Sequence, residues 1–177
     1  MAKPRLNDSL TADQLRRRLN YDPATGIFTW RHRDDVLPRV NTRLAGKAAG
    51  CPDGQYGYIS IRVMDRLYQA HRLAWLYMTG EWPSHLVDHR DMDPANNRWS
   101  NLRAATKSEN MMNQRAPRHN TSGFKGVTWN AKEKRWQAQI QLDGKNHYLG
   151  SFLTPEEAKV ARDAGAIRLH GEFARAG

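Results

Sequence analysis

Apolar residues recur along this chain with a helical period in some stretches and a strand period in others. Behind Thr11-Ala-Asp-Gln14 the pattern is helical: these four residues form a capping box, and Leu10 and Leu15 are placed as its hydrophobic staple, so a short helix to about Leu19 is predicted. Tyr21 to Gly26 reads as a turn and Ile27–Trp30 as a strand, while Arg31 to Cys51 is charged, glycine-rich and aperiodic and reads as a loop. Tyr58 to Val63 alternates, with Ile59, Ile61 and Val63 on one face, and Met64 to Arg66 turns the chain back. Ala70 to Thr79 predicts a helix stopped by Gly80 and Pro83 that buries Leu73, Trp75, Leu76 and Met78 in some combination. Leu86-Val87 then predicts a short strand ending in Asp88-His89, Pro94 to Asn97 a turn, and Leu102 to Ala105 a second short strand. Thr106-Lys-Ser-Glu109 is another capping box and puts Asn110 in the first turn of a helix.

Beyond Gln114–Ser122, a polar, basic segment without apolar periodicity, the alternation is cleaner. Phe124 to Trp129, Arg135 to Leu142 and Asn146 to Phe152 predict a three-stranded antiparallel meander with Asp143-Gly144 as a tight turn. Thr154-Pro-Glu-Glu157 starts a helix that runs to His170 and stops at Gly171, and its small residues Ala158, Ala161, Ala164, Gly165 and Ala166 allow close approach to the sheet. The reading is therefore an α+β chain in two units: 1–115, with its motif core at 85–115, a linker at 116–122, and 123–177.

Charge changes the picture. The 177 residues hold 28 Lys and Arg against 18 Asp and Glu, a net +10, which favours a polyanionic partner and above all nucleic acid. Cys51 is the single cysteine, so a disulfide framework and a cysteine-built structural zinc site are both excluded. No signal-peptide core and no membrane-length apolar run occur, so a cytoplasmic, DNA-associated protein with no membrane partner and no obligate protein partner is expected.

The densest set of polar functional groups lies between His85 and Asn110. Hydrolysis of a phosphodiester needs an activated water and a hard cation near the phosphate. Asp88 and the Asn110 carbonyl are hard oxygen donors suited to a partly hydrated Mg²⁺. His89 has the side chain to act as general base, and Asn101 is placed to accept from its other ring nitrogen and fix the tautomer. His71 and His85 read as packing or DNA contacts, and Asp91 and Asp93 either add to the metal's field or are solvated loop acids.

Asp88-His89, Asn101 twelve residues after the histidine and Asn110 nine further on resemble the HNH nucleases, in the phage and intron homing-endonuclease branch that ends in Asn instead of His. With the upstream AHRLAWLYMTGEWP the likeness covers roughly residues 55 to 115. It implies a ββα-metal fold in which Asp88 and Asn110 hold a divalent metal, Mg²⁺ first and Mn²⁺ as the alternative, His89 activates water and Asn101 orients His89.

Gly123-Phe-Lys-Gly-Val127, Arg135-Trp-Gln-Ala-Gln-Ile140, Tyr148-Leu-Gly-Ser-Phe152 and Thr154-Pro-Glu-Glu-Ala158 are similar to the plant Apetala-type ethylene-response-factor DNA-binding domain. That likeness implies a sheet lying in the major groove of double-stranded DNA, with the helix packed behind. Strand alternation puts Arg135, Gln137, Gln139 and Gln141 on one face, where they can reach base edges, with Trp136 on the other face by period but near a DNA-touching Trp of the family. Lys125, Lys145 and His147 are expected at phosphates, and Thr128 stands where the family often has Arg. Together these features predict a metal-dependent DNA endonuclease that nicks sites chosen by a β-sheet reader. The rival readings are a non-catalytic DNA-binding regulator and a nuclease acting on junctions or RNA.

Overall fold

The computed structural model describes residues 10–54, 56–106, 109–110, 120–142 and 144–170, and the chain divides into two compact units, 1–104 and 105–177. The expected linker lies largely outside the described residues, as do Asp143 of the tight turn and Gly171. Among the described residues no helix is long and apolar enough to cross a membrane.

In the first unit, α1 (Ala12–Arg18) opens on the expected box: Thr11 Oγ1 accepts from the Gln14 N–H at 3.2 Å and Gln14 Oε1 accepts from the Thr11 N–H at 3.1 Å. Leu10 and Leu15 are both buried. The chain runs directly into β1 (Leu19–Asp22), where only the turn was expected. Leu19 and Tyr21 point inward and Asn20 and Asp22 outward, a pattern too short to stand out beside three arginines. Pairing with β2 (Ile27–Trp30) holds it, with Leu19 opposite Trp30 and Asp22 opposite Ile27. Asp22 closes the turn by accepting from the Ala24 N–H and the Thr25 hydroxyl.

The stretch read as loop, Arg31 to Cys51, contains α2 (Pro38–Leu44) and leads into β3 (Cys51–Pro52). Pro38 presets the first helical φ, but no side chain caps the helix and none of its seven residues is buried. Its apolar pair, Val40 and Leu44, is only half-buried and too short a run to mark a helical period. β4 (Ile59–Val63) and β5 (Arg66–Gln69) form a hairpin through Met64 and Asp65, both at positive φ, and β3, β4 and β5 make one antiparallel sheet.

α3 (Ala70–Thr79) follows at once and ends where Gly80 adopts a left-handed φ of 85°. Of the four candidates for burial it takes in Leu73 and Leu76, leaves Trp75 half-buried against Trp99, and exposes Met78. β6 (Leu86–His89), a 3-10 turn (Trp99–Asn101) and β7 (Leu102–Ala105) complete a two-stranded sheet. Val87 and Leu102 enter the same core as Leu15, Leu19, Phe28, Ile61, Leu73 and Leu76. At about 1.5–3 kcal/mol for each large apolar side chain, that shared core anchors the two strands carrying the polar cluster.

In the second unit β8 (Val127–Asn130), β9 (Arg135–Leu142) and β10 (Lys145–Phe152) form the antiparallel meander, with β9 in the middle. The first strand starts at Val127 because Gly123 and Gly126 both hold positive φ. Thr154 caps α4 (Pro155–His170), accepting from the Glu157 N–H at 3.2 Å. Ala158, Gly165 and Ala166 face the sheet and Ala164 faces solvent. A Cβ on Gly165 would stand 2.7 Å from Leu149 Cδ1, so helix and sheet are as close as glycine permits.

Candidate active site

Asp88 and His89 end β6, and both are buried although neither is apolar. Such burial demands partners. Arg103 on β7 supplies one: its Nε and Nη2 both donate to Asp88 Oδ2 at 2.9 Å, and the two side chains are only 6% and 7% exposed. The guanidinium fixes the carboxylate with two bonds from one rigid fork.

The His89 ring meets Asn97, with 3.2 Å between Nε2 and the Asn97 Oδ1. Asn97 cannot turn its amide over freely, because its Nδ2 donates to the Ala95 carbonyl at 3.1 Å. The atom facing His89 is therefore an oxygen, which only accepts, so Nε2 carries the proton and Nδ1 holds the basic lone pair in the neutral ring. Asn97 is held in turn. Its backbone carbonyl accepts from the Tyr21 hydroxyl at 2.7 Å, and burial, followed by the charge of Asp22, raises the Tyr21 phenol so that it remains a donor. The β1–β2 turn presses on the same segment: Trp99 N–H donates to the Pro23 carbonyl at 3.0 Å and Arg98 Nε to the Ala24 carbonyl at 3.0 Å. Gly26, at φ +76°, is so close that a Cβ there would lie 2.4 Å from the Asn97 carbonyl carbon and the Arg98 nitrogen.

Asn101, expected at the histidine, bonds instead to the loop between the strands. Its Nδ2 donates to Asp91 Oδ1 at 2.9 Å and to the Asn96 carbonyl at 2.8 Å, and its Oδ1 accepts from the Asp91 N–H at 3.1 Å. Burial pulls the Asp91 carboxyl upward, but bonds from the Asp93 N–H and the Asn101 and Asn96 amides outweigh it and hold the group below its ordinary value. Asn101 thus shapes the loop, and Asn97 meets the ring. The signal for Asn97 was present in the turn Pro94-Ala-Asn-Asn97, but spacing alone gave no means of choosing between its asparagines. Arg103 was legible only as an alternate position on a short strand.

His71, in the first turn of α3, packs on His89 edge-to-face with ring centroids 5.0 Å apart, and Tyr58 lies 5.3 Å and 5.9 Å from the two rings. His71 is buried, its Nδ1 has no hydrogen-bond partner among the described residues, and burial, reinforced by His89 and Arg72, pushes its pKa down to about 3. The ring is neutral in the fold and takes a proton near pH 6.5 when unfolded. Between those values the unfolded chain binds more protons, so stability falls as pH drops below about 6.5. Relative to His71→Phe, the wild type is expected to lose about 1.5 kcal/mol between about pH 6.5 and 5, a window in which carboxylates stay mostly ionised. Parallel stability curves from urea unfolding at each pH would refute it.

Asn110 belongs to the second unit. The capping box ahead of it is formed, with Thr106 N–H donating to Glu109 Oε2 at 2.6 Å and Glu109 N–H to Thr106 Oγ1 at 3.2 Å, and the Asn110 N–H donates to the Thr106 carbonyl at 3.0 Å. Among the described residues no three His, Cys, Asp or Glu cluster into a metal cage. The donors expected at the metal, one carboxylate and one carboxamide oxygen, fit a hard cation that keeps several waters and takes few protein ligands. His85 and Cys51 are both exposed.

On the meander, Thr128, Gln137 and Ser151 share one cross-strand line and Gln139 and Tyr148 another. Gln137 Nε2 and Ser151 Oγ both donate to Glu133 Oε2, at 3.2 and 3.1 Å, and the Tyr148 hydroxyl lies 2.7 Å from Ser151 Oγ. Thr128, Arg135 and Gln141 are exposed, and Lys125, Gln137 and Gln139 are half-buried. Trp136 packs on the core, meeting Trp129 edge-on at 5.2 Å, and Trp129 is the more exposed ring. Lys145 and His147 pair with Leu142 and Ile140, which puts them on the apolar side of the sheet at its exposed end, away from the glutamines.

A family model described as HNH endonuclease matches residues 68–112. Protein 3.8 of Escherichia phage T7 is 34% identical over 108 residues, which cover 59% of this chain and 87% of that protein. An HNH endonuclease of Acanthamoeba polyphaga mimivirus is 35% identical over 108 residues, 60% of this chain and 55% of the relative. APETALA2-like protein 2 of Oryza sativa is 40% identical over 58 residues, 33% of this chain but 13% of the plant protein. The solved structure of DNA binding and cleavage by the HNH homing endonuclease I-HmuI is similar at a TM-score of 0.41 and 18% identity, covering 86% of this chain and 85% of that one. The family match takes in Asp88, His89, Asn97, Asn101 and Arg103, the residues that build the buried polar cluster, and the phage relative is spanned over most of its length: the chain belongs to the HNH endonuclease family.

Proposed function

We propose that this nuclease hydrolyses one strand of double-stranded DNA, with His89 as general base and Asp88 as a ligand to a divalent cation, Mg²⁺ above all. The observation that carries the reading is the Asn97 oxygen against Nε2 of the buried imidazole, which calls for the proton on Nε2 and the basic lone pair on Nδ1. HNH nucleases generally use a divalent metal; when bound, such an ion stabilises the charge developing on the phosphate and the leaving oxygen. The chain's own part is to orient. Arg103 holds the Asp88 carboxylate, Asn97 holds the ring, and Asn101 shapes the loop between the strands. One base and one metal site in one chain favour a nick.

The second unit serves as the reader. Its exposed polar face, with Thr128, Arg135, Gln137, Gln139 and Gln141 and the neighbouring Tyr148, carries groups that can bond base edges and phosphates. The partial likeness to the plant proteins supports this assignment.

Incubating supercoiled plasmid with the protein and Mg²⁺ is expected to yield open circles, and EDTA is expected to suppress them, with RNA as the comparison substrate. Linear product as the first species would argue for paired sites. Equal cleavage in EDTA would overturn the metal assignment, and cleavage of RNA alone the substrate.

A further inference from the structure

Within 1–104 the positive charge is concentrated. Residues 16–47 hold eight Lys and Arg against three acids, a net +5, while the remaining eight basic and eight acidic residues of that unit cancel. The whole surplus of the first unit therefore sits on α1's last turn, β2 and the segment carrying α2.

Hydrogen bonds draw those pieces into one surface. Arg31 N–H donates to the Arg18 carbonyl and its Nη1 to the Arg16 carbonyl, Trp30 N–H donates to the Lys47 carbonyl at 2.9 Å, and Lys47 N–H to the Leu44 carbonyl at the end of α2. The local acids are already engaged: Arg33 grips Asp35 with two bonds, at 2.9 and 3.1 Å, and Asp34 faces His32. Arg17, Arg31, Arg39, Arg43 and Lys47 are all exposed, and none has an acidic partner among the described residues. α2 covers Val40, Asn41 and Leu44 only partly and leaves Arg39, Thr42 and Arg43 exposed, so its outer side is open to a partner. Arg39 and Arg43, one turn apart, project from one side of it with about 5–6 Å between their Cβ atoms, near two phosphate steps of about 3.4 Å rise along one DNA strand.

We infer that this surface, formed by Arg17, Arg31, Arg39, Arg43 and Lys47, grips the phosphate backbone of duplex DNA, independently of sequence and separately from the reader sheet. The inference rests on the DNA reading above. It adds a second source of affinity, carried by the unit that cuts.

The test is fluorescence anisotropy of a labelled random-sequence duplex with the full chain in EDTA, across about 50–200 mM salt. Arg39→Gln/Arg43→Gln is expected to lower the slope of log K against log salt by about 1.8, two phosphates at about 0.9 each, and Arg39→Lys/Arg43→Lys to leave it near wild type. Arg31→Gln/Lys47→Gln repeats the test away from the helix, so damage to α2 cannot masquerade as lost contact. Wild-type slopes in both Gln pairs, with the wild type binding duplex, overturn this surface alone. Failure of the wild type itself to bind duplex overturns the DNA reading as well.

Discussion

His89→Ala is expected to abolish plasmid nicking while leaving DNA binding intact. The imidazole ends β6 with Nε2 against the Asn97 oxygen, which sets Nδ1 as the basic nitrogen, and alanine removes that base. General-base catalysis is worth about 10²–10⁴-fold, so single-turnover cleavage of a labelled duplex should drop by at least that range. Binding, measured by mobility shift in EDTA, rests on cations elsewhere. Asn97→Leu should fall in rate as well, since it removes the acceptor that sets the tautomer. Cleavage by His89→Ala at the wild-type rate would sink the base assignment.

Arg103→Met is expected to destabilise the protein by about 3–5 kcal/mol, because it strips the guanidinium from Asp88 and leaves a carboxylate charge buried without its principal partner. At about 2–4 °C per kcal/mol for a chain of this size, the melting midpoint should fall by roughly 6–20 °C. Arg103→Met with Asp88→Asn removes both charges, and stability should largely return because the lone charge was the cost. Cleavage should not return, since the carboxylate proposed to hold the metal is gone. A calorimetric scan of the single and double variants beside a nicking assay separates the two roles. Equal melting of the single variant and wild type would show that the pair is not buried as described.

Legibility in the sequence followed local signals. Both capping boxes at Thr11 and Thr106 and the cap at Thr154 were readable because a side chain bonds a backbone three residues away. β4 was readable because Ile59, Ile61 and Val63 alternate toward the core, and α3 because its apolar positions recur at helical spacing. β1 and α2 were not readable. β1 exists through pairing with β2 across a turn, and α2 offers only Val40 and Leu44, both half-buried, as apolar positions. At the candidate site, residue types and spacing picked out Asp88, His89 and Asn101 but not what each touches. Choosing Asn97 over Asn101 for the ring depends on how the loop folds back, with the Asn101 amide spent on Asp91 and Asn96. On the meander, Lys145 and His147 were grouped with the polar residues by charge, whereas register sets them with Ile140 and Leu142.

The close approach of Gly26 to Asn97 and Arg98 bears on how portable the cleavage motif is. A graft of the matched stretch, 68–112, into a foreign scaffold would carry Asp88, His89 and Asn97 but leave behind Tyr21, Pro23, Ala24 and Gly26, the residues on which the Asn97 segment rests. The motif is thus an inlay, shaped to a setting more than forty residues upstream in the chain. Recombination that exchanges such motifs between proteins would have to bring the first hairpin along, or rebuild its seat.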